Sequence, residues 1–175
     1  MVVSIRFDVA RESTVDLKLE DFGAFVIFTA IYAAGSLGLP KLHILAYQLT
    51  VGEMAAPFVA IFGIPAVFGL TLGQFIANLG FEVAPVAMLS PAISFVGLIA
   101  IYYLRKLSTL GGCIIYILIT SLWITYLLPQ ISNISTSVAA PSAFLEQSVA
   151  VMVGYVGYLI AKRTMANPKA QVQKH

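Results

Sequence analysis

The sequence predicts an all-α integral membrane protein, a bundle of six transmembrane helices, on three observations. First, the mean hydropathy is +0.93. Of the 175 residues 59% are hydrophobic and only 10% are charged, against about a quarter charged in soluble domains. Second, turn signals divide the chain into apolar segments near the length of about 20 residues that a helix needs to cross a bilayer. Third, Lys and Arg are distributed very unevenly among the predicted loops.

The first three spans are predicted at residues 22–39, 45–62 and 66–79. Pro40 ends the first span, because the residue before a proline disfavours the helical conformation. Gly63 and Pro65 separate the second span from the third. Both of these spans are short and interrupted by Gly and Pro.

The last three spans are predicted at residues 86–104, 112–128 and 143–161. Arg105 and Lys106 close the fourth span, and Pro129 closes the fifth. A polar loop at 130–142 then leads to the sixth. Bundles of four, five or seven spans remain alternatives, but they divide the sequence less well.

The charge distribution predicts that both termini are cytoplasmic. With six spans and the N-terminus inside, nine of the ten Lys and Arg residues fall in cytoplasmic segments and only Lys41 falls outside. This is a strong positive-inside bias. The predicted division is a cytoplasmic N-terminal arm at 1–20, a transmembrane domain at 21–163 and a polar cytoplasmic tail at 164–175. The arm is too charged to be a signal peptide.

The composition disfavours several classes of function. One Cys excludes an internal disulfide and gives too few thiols for a structural metal site, and the two His residues make a haem or zinc pair improbable. The sequence has no HExxH, GxSxG, phosphate-binding loop or paired Asp. We therefore expect no enzyme activity, no metal and no cofactor. The net charge of +2 comes mostly from the termini and indicates topology instead of nucleic-acid binding.

Glu53 is the first candidate for a ligand-binding residue. It precedes a stretch that stays almost wholly apolar as far as Leu79. An unpaired charge at the centre of a bilayer costs about 2.5–3.5 kcal/mol on insertion scales. Such a residue is retained only where it faces protein, water or a ligand.

Other polar and aromatic side chains gather near the predicted outer ends of the spans. They are Tyr47, Gln48, Thr50, Gln74, Asn78, Glu82, Ser90, Ser94, Trp123, Tyr126, Gln130, Ser132, Asn133, Glu146 and Gln147. The inner ends have no comparable set, so the sequence predicts a pocket open to the outside. Its groups suit a planar, polar, donor-rich small molecule.

Simpler roles remain open for several of these residues. Trp123 is equally consistent with the belt of aromatic residues at a membrane interface. Gln74 and Asn78 lie four apart on one helix face, which also suits a hydrogen bond between helices. Glu146 lies near a water boundary, where a solvated carboxylate is the simpler expectation.

Ala30 and Ala34, in the segment 30-AIYAA-34, form a pair of small residues four apart. Such a pair lies on one helix face and lets another backbone approach closely. The other backbone belongs either to this chain or to a partner protein.

Six short spans, a charged cytoplasmic N-terminus and the Ala-xxx-Ala pair resemble the S-components of energy-coupling factor (ECF) transporters. The stretch 48-QLTVGEMAAPFVAIFGIPAVFGLTLGQFIANLG-80 is similar to the queuosine-precursor type. In that type a Gln and a Glu enter the second span and precede a Pro-containing stretch. A Gly-x-apolar-apolar-x-Asn segment follows, matched here by Gly73 and Asn78. The similar region extends to about Lys106.

The resemblance implies a subunit that captures substrate in the membrane and has no ATPase activity of its own. A membrane scaffold subunit couples such subunits to two cytoplasmic ATPases, and Ala30 and Ala34 would form the docking face. The implied substrate is a deazapurine base, a queuosine precursor. Glu53 would accept the N–H donors of its guanine-like edge, with Gln48 and Asn78 at the edge of the ring.

One departure from the type bears on the substrate. We expect a basic residue three positions before Glu53, and this chain has the neutral Thr50 there. An S-component for another vitamin or metabolite therefore stays an alternative. A structural membrane subunit without a ligand is the alternative of a different class.

Overall fold

The computed structural model describes residues 19–38, 51–80, 85–131 and 134–166, together with the backbone of residues 42–44 and 47–49. Its elements are, in chain order, α1 (Leu19–Leu37), β1 (Leu42–Ile44), β2 (Tyr47–Leu49), a 3-10 helix (Val51–Phe58), α2 (Val59–Phe62), α3 (Ile64–Gly80), a second 3-10 helix (Pro85–Leu89), α4 (Ser90–Leu104), α5 (Thr109–Ile131) and α6 (Thr136–Ala166). The first 3-10 helix and α2 form one continuous segment, Val51–Phe62, called the central segment from here on.

The described residues contain six helical segments, which run in alternate directions through the bundle. Among these, four pairs of consecutive segments pack antiparallel, because an earlier residue of one segment contacts a later residue of the next, and a later residue contacts an earlier one. The contacts are Phe28–Phe62 and Gly35–Val51 between α1 and the central segment, Phe68–Phe95 and Asn78–Ala87 between α3 and the second 3-10 helix with α4, Ile101–Gly112 and Gly97–Tyr116 between α4 and α5, and Thr109–Tyr158 and Thr120–Gln147 between α5 and α6. The predicted six-segment helical bundle is confirmed to this extent.

The alternation defines two ends of the bundle. At one end α1 begins, the central segment meets α3, α4 meets α5, and α6 ends. All Lys and Arg residues of the described part lie there, and we call it the basic end: Arg105, Lys106, Lys162 and Arg163. The opposite end, which carries β1 and β2, is called the hairpin end.

The prediction of one helical span at 45–62 is wrong in its first part. Residues Leu42–Ile44 and Tyr47–Leu49 form an antiparallel strand pair, with His43 opposite Gln48. The helix begins only at Val51, and its first eight residues are a 3-10 helix that contains Pro57. A 3-10 helix rises about 2.0 Å per residue against 1.5 Å for an α-helix, so the short central segment covers more of the bundle's height.

Two predicted boundaries in the second half of the chain are also wrong. Helix α5 continues through Pro129 to Ile131, and α6 begins at Thr136, before Pro141. Most of the predicted loop at 130–142 is therefore helical, because Ala139 and Ala143 of α6 pack against α5 and extend the helix pair. A proline removes one backbone hydrogen bond, and this packing offsets the loss. Helix α6 runs to Ala166, three residues into the segment that the sequence assigns to the tail, 164–175.

Among the described residues, four helices are long and apolar enough to cross a membrane, and two further apolar helices, Val51–Phe62 and Ile64–Gly80, are shorter. Large apolar side chains cover the outer surface of the bundle, including Phe22, Ile27, Leu118, Leu122, Val156 and Ile160. A soluble monomer rarely exposes so much contiguous apolar surface. The four apolar helices indicate a membrane-embedded protein.

Glycines bring the helices unusually close together. At Gly112, an added Cβ would lie 2.7 Å from the Cα atom of Ile101 in α4. At Gly154 of α6, it would collide with the backbone carbonyl of Met54 in the central segment. Small residues permit this approach where lipid removes the hydrophobic drive for helix association. The central segment is thereby enclosed against α6.

Candidate functional site

Glu53 lies in the central segment, between α1 and α5, and is only 4% exposed. The hydroxyl of Tyr32 in α1 donates a hydrogen bond to Glu53 Oε1 at 2.7 Å. The hydroxyl of Tyr116 in α5 donates a second hydrogen bond to Oε2. One carboxyl group thus connects three segments of the bundle.

Glycines determine where the two tyrosine rings lie. An added Cβ at Gly52 would be 2.6 Å from the Tyr32 ring, and one at Gly73 would be 2.7 Å from the Tyr32 Cβ. An added Cβ at Gly97 would be 2.6 Å from the Tyr116 ring. Each ring therefore packs directly on a neighbouring backbone, and each hydroxyl is positioned at the carboxyl group.

The polar contacts continue from Tyr116 into α6. Thr120, one turn along α5, donates from Oγ1 to the Tyr116 carbonyl at 2.9 Å, and the same hydroxyl lies 3.3 Å from Gln147 Oε1. All of these side chains are buried. We refer to Tyr32, Glu53, Tyr116, Thr120 and Gln147 as the Glu53 network.

Glu146 and Gln74, both predicted as site residues, are also buried. Glu146 on α6 is 1% exposed, so the alternative of a solvated carboxylate near a water boundary is wrong. Gln74 lies on the buried face of α3, and no donor among the described residues lies within hydrogen-bond distance of its Oε1. An acceptor in this position is available to a ligand.

Asn78 and Trp123 make hydrogen bonds that hold neighbouring segments together. Asn78 Nδ2 donates to the Ala87 carbonyl at 3.2 Å, which ties α3 to the second 3-10 helix. Trp123 Nε1 donates to Ser90 Oγ at 2.8 Å, which ties α5 to the start of α4. Both side chains are half-buried, and neither is bonded to the Glu53 network.

Six residues of the predicted pocket lie wholly or partly outside the described part of the structure: Tyr47, Gln48, Thr50, Glu82, Ser132 and Asn133. Gln48 is in β2, where only its backbone is described. Thr50 lies outside the described residues. Their predicted roles at the ligand stay predictions.

Ala30 and Ala34 are both exposed. They lie on the face of α1 opposite α3, because Phe28, Thr29 and Tyr32 occupy the face that packs on α3. No described segment of the chain packs on this pair, and the docking interpretation stays a prediction. The small side chains are available to a partner.

Sequence reasoning missed Tyr32, Tyr116 and Thr120. A signal was present, since Tyr32 and Tyr116 lie within predicted spans instead of at their ends, where belt tyrosines occur. A buried phenol needs a hydrogen-bond partner. The only carboxylates within the predicted spans are Glu53 and Glu146, so a pairing between tyrosine and glutamate was open to prediction.

The geometry of the Glu53 network suits recognition of hydrogen-bond donors. A carboxylate oxygen has more than one acceptor direction, so each Glu53 oxygen that accepts from a tyrosine retains capacity for a ligand. No salt bridge to Glu53 forms among the described residues. A ligand with adjacent N–H donors would add further hydrogen bonds to this carboxyl group.

The described residues offer no cluster of metal-binding side chains. No three side chains of His, Cys, Asp or Glu lie together among them in a way that could hold a metal ion. An apolar groove of about 400 Å³ lies between α1 and the central segment, lined by residues such as Ile27, Ile31 and Phe58. Glu53 is not among its lining residues, so this groove is separate from the network.

Comparison of the chain with protein-family models, with curated proteins and with solved structures finds no match.

Proposed function

We propose that this chain is the substrate-capturing S-component of an ECF-type importer. Its substrate is a queuosine precursor, a deazapurine base, or a similar small polar metabolite. The observation that carries the proposal is the buried Glu53 carboxyl group, which tyrosines from two other helices orient in the middle of an apolar bundle. An ionisable residue in such a position is by default a functional site.

The irregular backbone around Glu53 supports this proposal. The central segment begins as a 3-10 helix with an internal proline and follows a strand pair. In membrane transporters, interrupted helices of this kind occur where the backbone lines a binding site. Glu53 is in the first turn of the segment and therefore lies toward the hairpin end, where the sequence predicts a pocket open to the outside.

The chemistry of the buried acceptors favours a planar ligand with several N–H donors. Glu53 offers two oxygens and Gln74 offers a further acceptor, Oε1. A guanine-like edge presents adjacent N–H donors to such a carboxylate. Because buried acceptors left unpaired cost about 1–3 kcal/mol each, a ligand lacking these donors would be disfavoured.

The proposed orientation places the basic end and both termini in the cytoplasm. All four Lys and Arg residues of the described part lie at that end, which the positive-inside rule assigns to the cytoplasmic side. Import then requires an energy source outside this chain, a membrane scaffold subunit with two cytoplasmic ATPases. The exposed Ala30 and Ala34 support a docking surface for that scaffold.

The test is to ask whether the purified protein carries or binds a small molecule. Native mass spectrometry of the detergent-solubilised chain, followed by a thermal-shift panel of deazapurines and common vitamins, should detect a bound deazapurine or a stabilisation by one. Stabilisation by a vitamin and by no deazapurine would show that the substrate is that vitamin and not a queuosine precursor. No bound molecule and no thermal shift with any compound would contradict capture and favour a structural membrane subunit.

A further inference from the structure

The basic end brings cationic side chains from two helix ends close together. Thr109 at the start of α5 and Tyr158 in α6 have hydroxyls 3.1 Å apart, which joins the turn after α4 to the end of α6. Lys162 lies one turn beyond Tyr158, with its Nζ 5.8 Å from the centre of the Tyr158 ring. Arg105 follows the last residue of α4 and precedes Thr109 by four residues, across the turn between α4 and α5. The four cations therefore lie at the same end of the bundle, on what we call the basic surface.

Arg105 is held in a defined position on this surface. Its guanidinium carbon lies 4.2 Å from the centre of the Tyr102 ring, a cation–π contact. One of its terminal nitrogens, Nη1, lies 3.3 Å from the place that a Cβ at Gly63 would occupy. Gly63 has φ +70, a conformation that favours glycine, and it forms the turn between the central segment and α3. Stacking covers one face of the guanidinium and leaves its in-plane N–H donors available.

Two carboxylates of the described part, Glu20 and Asp21, lie at the same end of the bundle, but neither forms a salt bridge with the basic surface. Glu20 and Asp21 lie in the first turn of α1, which packs mainly on α3 and the central segment. Glu53 and Glu146 are buried inside the bundle. No salt bridge to Arg105, Lys106, Lys162 or Arg163 forms among the described residues within 4.0 Å.

Exposed apolar and aromatic side chains lie beside the cations. Leu107, next to Lys106 in the turn between α4 and α5, is 85% exposed, and Tyr103 is 72% exposed. Ile160 and Met165 are exposed near the end of α6. A soluble phosphate compound or an acidic protein would contact the cations but not these apolar side chains. A lipid contacts both, because its acyl chains pack on the apolar side chains while its phosphate binds the cations.

We propose that the basic surface binds the headgroup of an anionic phospholipid of the cytoplasmic leaflet. Arg105 and Lys162 contact the phosphate from α4 and α6, and Leu107 inserts among the acyl chains. Arg fits phosphate oxygens through parallel N–H donors. The proposal requires the membrane orientation given above, but it does not depend on the ligand of the Glu53 network.

The test measures lipid retention in mixed micelles of phosphatidylglycerol and phosphatidylcholine by native mass spectrometry. The wild-type chain should retain phosphatidylglycerol preferentially. Arg105→Gln and Lys162→Gln should each lower that preference by about fivefold. Lys41→Gln removes one cation at the predicted outer side and is the matched control, which should retain phosphatidylglycerol as the wild type does.

Three outcomes would overturn the proposal. They are equal retention of the two lipids by the wild type, an equal loss in Lys41→Gln, and binding of soluble glycerophosphoglycerol as tight as that of the intact lipid. The last outcome would assign the surface to soluble phosphate compounds. Circular dichroism checks that each variant folds, and the two independent variants keep the test decisive if one does not. Deazapurine binding by the same variants should be unchanged, so failure here is distinguishable from failure of the transport proposal.

Discussion

At the level of single residues, Glu53 and the two tyrosines that bind it form a unit whose members come from three segments. Sequence alone identified Glu53, because a carboxylate in an apolar stretch is rare. It could suggest that a tyrosine within a span pairs with a glutamate, but not that Tyr32 and Tyr116 are the two that reach Glu53, because α1 and α5 are apolar on all sides and their hydropathy does not show which face is buried. The glycines at 52, 73 and 97 determine that face, through contacts that only the folded structure reveals.

Replacing Tyr116 by Phe removes one donor to a buried carboxyl group and keeps the ring. We expect the free energy of unfolding to fall by about 1–3 kcal/mol, the usual cost of leaving a buried polar group unsatisfied. Thermal or denaturant unfolding in detergent measures the change. Tyr103→Phe, at an exposed tyrosine, is the control and should change stability by less than about 0.5 kcal/mol. Equal stability of the two variants would show that the Tyr116 hydroxyl contributes nothing to the fold.

At the level of elements, the central segment is the part that sequence patterns described least well. It was predicted as part of one helical span at 45–62, yet the chain completes a strand pair at Leu49 before the 3-10 helix of the central segment begins. A short apolar run cannot be assigned to helix or strand from periodicity alone. The boundaries at Pro129 and Pro141 failed for a related reason, since packing between α5 and α6 overrides the local preference of proline.

The close approach of α6 to the central segment gives a sharp test of this packing. In Gly154→Ala, the new Cβ collides with the Met54 carbonyl, a backbone group that cannot move aside cheaply. We expect a loss of stability of about 1–3 kcal/mol or more, measured by thermal unfolding. Gly23→Ala is the matched control, because nothing lies within 4 Å of its added Cβ. If both variants unfold alike, the two segments are not in the contact described here.

The exposed pair on α1 permits a test that separates docking from ligand capture. Ala34→Leu adds bulk on a face that no described segment covers, so the fold and the ligand affinity should be unchanged while uptake by cells is lost. Val156→Leu adds bulk at an exposed position of α6 and should leave uptake intact. Transport assays and calorimetry with purified protein measure the two properties. Loss of ligand affinity in Ala34→Leu would assign the pair to packing within this chain.

At the level of the whole molecule, the number and alternation of segments could be predicted from turn signals and charge. Length and hydropathy together identify four of the six described segments as candidate spans. The other two, Val51–Phe62 and Ile64–Gly80, are apolar but shorter. An even number of segments places the start of α1 and the end of α6 at the same end of the bundle, in agreement with the uneven distribution of Lys and Arg. The strand pair at the hairpin end was not predictable from either signal.

The proposed orientation predicts which exposed residues react from outside a cell. Gln130→Cys, at the hairpin end, should react with a membrane-impermeant maleimide in intact cells. Ser108→Cys, at the basic end, should react only after permeabilisation. Both parent side chains are exposed, and the native Cys113 is buried, so the wild-type chain is the unreactive control. The reverse pattern of labelling would invert the topology.

The most direct test of the central claim is a calorimetric titration of purified wild-type, Glu53→Gln and Glu20→Gln chains with a deazapurine base. Glu20 is exposed at the start of α1, so Glu20→Gln makes the same chemical change away from the network. We predict that the wild type and Glu20→Gln bind equally and that Glu53→Gln binds at least about tenfold more weakly, with an unchanged circular dichroism spectrum. Unchanged affinity in Glu53→Gln would contradict the assignment of Glu53 as the residue that holds the ligand.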